Sequence, residues 1–245
     1  MESRNFKLDT EWNMIHYPEK PNGFGILVVG DERHFVNNKG SFWTQNEGKR
    51  SLLNIWKHEG YTAFYSNLYG RHWGSEKAVD LAMRLCCHIV RNEILNGSFH
   101  VVAEGIGALV ALKLLAQSDI RIRSLVLINP VFSLSTHLEQ EKENKFFYKK
   151  LVAELEKAYE MDIHHLMEML ITEDPAPKFK HDVPVKIIHV LTGNRAYKQS
   201  KILKELSEIW EREKLPVSIS YVLPEKKLQA SSQTVQFFRR HEQVL

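Results

Sequence analysis

Cysteine is nearly absent from this chain: of 245 residues only two are cysteine, the neighbours Cys86 and Cys87. Adjacent residues on a helix point about 100° apart, so the pair offers neither a disulfide framework nor a metal-ligand spacing. Both are expected to pack as small apolar groups. No stretch approaches the ~18 uninterrupted apolar residues that a spanning helix needs, so no membrane span is expected. The opening MESRNFKLDTEWNMIHY lacks the basic-then-apolar order of a secretory signal, and a cytoplasmic location is the expectation. An excess of one charge is lacking too, with 33 Lys and Arg against 30 Asp and Glu, a formal +3. The lysines are interleaved with glutamates rather than gathered on a face, which argues against nucleic acid as a partner. Internal repeats and low-complexity tracts are also missing.

What is present is an alternation of strand and helix. Asn5 to Leu8 and Trp12 to Tyr17 predict an opening hairpin, and Pro21-Asn22-Gly23 a turn. Gly25 to Val29 is an apolar, β-branched run of buried-strand length, and a polar stretch extends from Gly30 to about Gly48. Helices are predicted over Ser51 to Glu59, Lys77 to Leu95, Ser200 to Lys214 and Ser232 to His241. Strands are predicted over Tyr61 to Asn67, Phe99 to Ala103, Ser124 to Ile128, Val185 to Leu191 and Val217 to Leu223. Such alternation specifies an α/β fold, a mostly parallel sheet of about eight strands with helices on both faces. At 245 residues and 28.6 kDa a single domain, 1–245, is expected. From Leu134 to Thr172 the alternation stops. Phe146, Leu151, Leu155, Tyr159, Ile163, Leu166, Met167 and Leu170 recur there at three-to-four spacing, which predicts helices laid against the sheet edge.

The segment His100 to Leu115, HVVAEGIGALVALKLL, is a strand, a turn and a helix, and it resembles the nucleophile elbow of the α/β-hydrolases. In that family the turn reads G-x-S-x-G, with a serine held above the sheet. The five positions here are Ala103, Glu104, Gly105, Ile106 and Gly107. The outer positions stay small, as close strand-helix approach requires, but Gly105 has no side chain with which to attack. A register shifted by one would put Glu104 at the centre and Val102 and Ile106 at the crowded flanks, where a β carbon strikes backbone. Asn67-Leu68-Tyr69-Gly70-Arg71-His72-Trp73-Gly74-Ser75 resembles the family's Asp-x-x-Gly-His-Gly-x-Ser stretch with one extra residue. The resemblance implies a helical cap over 134–172 within the single domain.

The same resemblance implies places for the other catalytic groups, and these are vacant. The acid belongs after Val185 to Leu191, where this chain has Gly193 and Asn194. The histidine belongs after Val217 to Leu223, where it has Pro224 to Ala230. Asp31 and Glu32 bring negative charge to the loop that would face a developing oxyanion. With Gly105, Gly193 and Asn194 at the triad positions, the expected function is that of a degenerate relative. It would bind a small, partly apolar ligand or a protein partner under the cap. The alternative is a hydrolase or esterase rebuilt without a triad. Ligands bind at the carboxyl ends of the strands in open α/β sheets, so the candidate binding residues are Gly30, His34, His72, Glu104, Ile106, Asn194 and Arg195. No cofactor and no resident metal is expected.

Overall fold

The computed structural model describes residues 2–117, 120–172, 179–191, 199–226 and 229–242. An eight-stranded sheet carries the fold, in the order β1-β2-β4-β3-β5-β6-β7-β8. β1 (Ser3–Leu8) and β2 (Glu11–His16) form an antiparallel hairpin, and β2 joins β4 (Thr62–Ser66) antiparallel. From β4 onward all pairings are parallel, through β3 (Gly25–Val29), β5 (Ser98–Glu104), β6 (Arg121–Ile128), β7 (Val185–Val190) and β8 (Val217–Val222). The inner strands read as continuous apolar runs because helices cover both of their faces; every residue of β3 and β4 is buried.

Period-two alternation splits each inner strand between two cores. Leu27 and Val29 of β3, Val101 and Ala103 of β5, and Leu125 and Leu127 of β6 face one side. They pack under α3 (Glu76–Asn92), α4 (Gly107–Ala116) and α8 (Ser200–Arg212). Ile26, Val28, Val102 and Val126 face the other, against Trp43, Trp56 and Phe238. These belong to α1 (Phe42–Gln45), α2 (Glu47–His58) and α9 (Gln229–Arg240).

Three expectations are corrected. The stretch read as polar connection up to Gly48 holds α1 and the first turn of α2. Ser41 and Thr44 form a reciprocal capping box, and Asn46 accepts from Lys49 N–H to start α2, so side-chain caps offset the weak propensity of a four-residue helix. Cys86 is buried but Cys87 is exposed, since the ~100° step between adjacent positions on α3 carries the second off the buried face. Between β6 and β7 lie α5 (Leu134–Glu141), α6 (Lys145–Tyr159) and α7 (Ile163–Thr172). Phe146 is not on their inward stripe: it is 73% exposed beside Phe147, because it sits in the first turn of α6 outside the arc that Leu151 and Leu155 define.

Candidate functional site

β5 ends at Glu104 and α4 begins at Gly107, so two residues make the turn between them. Gly105 has φ +50°, a conformation that costs a β-carbon residue about 1–2 kcal/mol. Its N–H donates to Ile128 O at 3.1 Å and its carbonyl accepts from Val131 N–H at 3.0 Å, which ties the turn to the end of β6. At Gly107 a Cβ would lie 2.4 Å from Val29 O and 2.8 Å from Gly30 O. Only a glycine lets α4 pass this close to the β3 backbone.

The space above Gly105 is filled from another loop. A Cβ built there would lie 2.0 Å from Asp31 Oδ1 and 2.3 Å from its Cγ. Asp31, two residues beyond β3, thus places its carboxylate where a side chain at the centre of the turn would go. Its Oδ1 accepts the backbone N–H of Ile106 at 3.2 Å. This is the first turn of α4, where the helix's free N–H groups and dipole favour an anion. His137 of α5 stands near enough for the Asp31 charge to act on it, yet burial dominates and depresses its pKa to about 4. Its ring stacks on Trp73, centroids 5.5 Å apart.

The helices after β6 are packed onto this turn. Ile106, Trp73 and Val131 form one apolar cluster with Leu134, Leu138, Leu151, Leu155 and Leu166. Polar contacts close the perimeter: Glu154 of α6 accepts from Arg71 and, at 3.1 Å, from Trp73 Nε1. Tyr159 donates to Trp73 O at 2.9 Å. The underside of α5 to α7 is therefore occupied by side chains. A shallow hollow of about 450 Å³ among the described residues lies elsewhere, along α2 beside Arg50, Asn54 and His58.

No family model matches the chain, and no curated protein matches it. Solved structures do. A puromycin-hydrolyzing peptidase of Mycobacterium tuberculosis superposes with a TM-score of 0.74 at 11% identity, over 99% of this chain and 40% of that one. A lipase in its open form superposes at 0.69 with 10% identity, over 99% and 100% of the two chains. Est1E from Butyrivibrio proteoclasticus does so at 0.64 with 9% identity, over 98% and 99%. The chain has the α/β-hydrolase fold. It spans less than half the length of the peptidase, and identities this low speak for the fold alone.

Within the α/β-hydrolase frame the candidate residues fall into three groups. Gly30, Glu104 and Ile106 surround the turn, with Asp31 between them. Gly30 is required by His34, whose ring carbon would lie 2.3 Å from a Cβ there. Glu104 does not point at the turn's centre: it pairs with Lys49 of α2, whose ammonium lies 5.0 Å above the Trp43 ring. His34 and His72 form the second group, buried at 7% and 4% exposure. His34 Nε2 bonds Ser66 O at 3.0 Å, and His72 bonds the Gly30 carbonyl and accepts from Gly74 N–H at 3.2 Å. Burial lowers both pKa values to about 4, so at neutral pH they act as uncharged ties between the loops after β3 and β4. The third group, Gly193, Asn194 and Arg195, lies outside the described residues. Among the described residues, no cluster of three His, Cys, Asp or Glu is arranged to hold a metal, and no helix is long and apolar enough to cross a membrane.

Sequence reasoning missed two participants. Asp31 was legible only as negative charge in an awkward loop; that it occupies the vacancy over Gly105 depends on where β3 and β5 end side by side. His137 carries no sequence signal, since it reaches the site across the chain from α5.

Proposed function

We propose that this protein is a catalytically degenerate member of the α/β-hydrolase fold that acts by binding, with a protein partner favoured over a small ligand. One observation carries the reading: the Asp31 carboxylate fills the position above Gly105 and takes the Ile106 N–H. In a working hydrolase the backbone N–H that follows the nucleophile helps to stabilise the developing oxyanion. Here a fixed anion already holds that donor, and a second negative charge beside it raises the barrier to acyl transfer rather than lowering it. With glycine at the turn's centre, and glycine and asparagine at the acid position, nucleophile and orienting acid are both missing.

A small ligand under the helices after β6 would have to displace the apolar cluster built on Ile106, Trp73 and Leu138, and that favours a protein partner. The test is direct. Purified protein is expected to give no turnover of short or medium acyl esters above background and no labelling by a serine-directed fluorophosphonate. Stoichiometric labelling, or ester turnover abolished by a single substitution of Ser66, Ser75 or Ser133, would overturn the proposal in favour of a rebuilt hydrolase.

A further inference from the structure

The two margins of the sheet differ. β1 bonds only to β2 and carries Arg4 and Lys7 along SRNFKL. Charged side chains on an edge strand are a common means of blocking further strand addition. β8 bonds only to β7, and VSISYV carries no charge, no proline and no glycine.

The register specifies which backbone groups of β8 stay open. Val185 N–H donates to Pro216 O at 2.8 Å and Leu191 N–H to Val222 O at 2.9 Å. With Val185 opposite Val217 and Val190 opposite Val222, residues 216, 218, 220 and 222 turn their backbone groups toward β7. Residues 217, 219 and 221 turn theirs away. Val217 N–H is taken up locally by Leu215 O at 2.7 Å. The N–H groups of Ile219 and Tyr221 and the carbonyls of Val217, Ile219 and Tyr221 face outward, with no strand beside them among the described residues. Exposed apolar side chains gather at the same end: Tyr221, Leu223 and, following β7, Leu191.

We propose that β8 is a self-association edge, through which two copies of this chain pair antiparallel about a two-fold axis at Ile219 to form one continuous sheet. The occupant must be a strand, because what the edge offers is a ladder of alternating donors and acceptors. A second copy fits because the strand is self-complementary. Pairing about Ile219 sets Val217 of one copy against Tyr221 of the other, an aromatic and β-branched cross-strand pair of the favourable kind. It brings no charge against another within the strand. Beyond it, the same register turns Glu213-Lys214 of one copy toward Pro224-Glu225 of the other, where both copies have already left the strand. A two-fold contact also closes on itself, so it ends at the dimer. The proposal is independent of the elbow and of any activity there.

Sedimentation equilibrium over a concentration series, together with amide hydrogen exchange, tests it. The expected result is a monomer-dimer equilibrium in which the Ile219 and Tyr221 amides exchange slowly when concentrated and rapidly when dilute. Those of Ser218, Ser220 and Val222 stay slow throughout. Tyr221→Pro removes an outward donor without touching the ladder to β7 and should abolish the dimer; Tyr221→Lys, which keeps the backbone donor, should weaken it and serves if the proline variant fails to fold. A protein that stays monomeric at every concentration overturns the proposal, as does an open-ended polymer. So does a dimer whose Ile219 and Tyr221 amides exchange at the same rate at both concentrations.

Discussion

Placing a serine at Gly105 should cost stability through Asp31 and yield no enzyme. The new side chain meets the Asp31 carboxylate at 2.0 Å, so the carboxylate must swing away and release the Ile106 N–H, a loss of about 1.5–3 kcal/mol for a bond to a charged group. Serine at φ +50° adds about 1–2 kcal/mol of backbone strain. Gly105→Ser alone should therefore destabilise by about 2.5–5 kcal/mol on these figures. Asp31→Ala alone removes the same hydrogen bond without the strain. In the Asp31→Ala background Gly105→Ser should then cost only the strain, about 1–2 kcal/mol, because the bond is already gone. Urea unfolding of the wild type, both single variants and the double variant closes this cycle. A coupling of about 1.5–3 kcal/mol, with the double variant more stable than the sum of the singles predicts, is the expected outcome. Strict additivity would refute the claim that Asp31 fills the place of the missing side chain. Neither serine variant is expected to hydrolyse esters, since the chain has no acid at 193–194 and no histidine within 224–230, the places from which the family's groups act with the serine as a unit.

Gly107→Ala should destabilise by about 1–3 kcal/mol, as overpacking against fixed backbone does, because its methyl would press on Val29 O at 2.4 Å; chemical denaturation reads this. Lys49→Met strands the buried Glu104 carboxylate and should cost about 3–5 kcal/mol, whereas adding Glu104→Gln should recover most of that loss in the same assay. His34, His72 and His137 have folded pKa values of about 4 against 6.5 for an ordinary histidine. The unfolded chain therefore binds more protons between those values. Their contribution to stability is complete above about pH 6.5 and is lost as pH falls toward 4, with a slope of up to about 1.4 kcal/mol per pH unit for each histidine. Unfolding free energies measured across this window should fall with pH, and His137→Gln should flatten the curve; an unchanged slope in that variant would contradict the neutral, buried assignment.

The order of strands and helices was legible from the chain because it is written in local pattern. Gly25 to Val29 is a run of apolar residues bounded by glycines, too short for a helix and too apolar for a surface strand, and β3 covers the same residues. The elbow was legible for a steric reason: glycine at 107 is demanded by the backbone of β3, and glycine at 105 by its positive φ, so both left a mark in sequence. Where local signals were weak, as at α1, the boundary depended on a reciprocal cap that only the folded backbone closes. The chain also showed that position 105 is a glycine, where the family resemblance leads to the expectation of a serine. It did not state what stands above that glycine. Asp31 meets Gly105 from 74 positions earlier in the chain because β3 and β5 are parallel neighbours that end together, and His137 approaches from helices that follow a third strand. Glu104 and Lys49 were likewise unreadable as a pair, since their meeting depends on the first turn of α2 coming to lie beside the last residue of β5. Contacts between elements far apart in sequence follow from register and packing, which no single segment encodes; the tertiary structure alone made the space above Gly105 an occupied one.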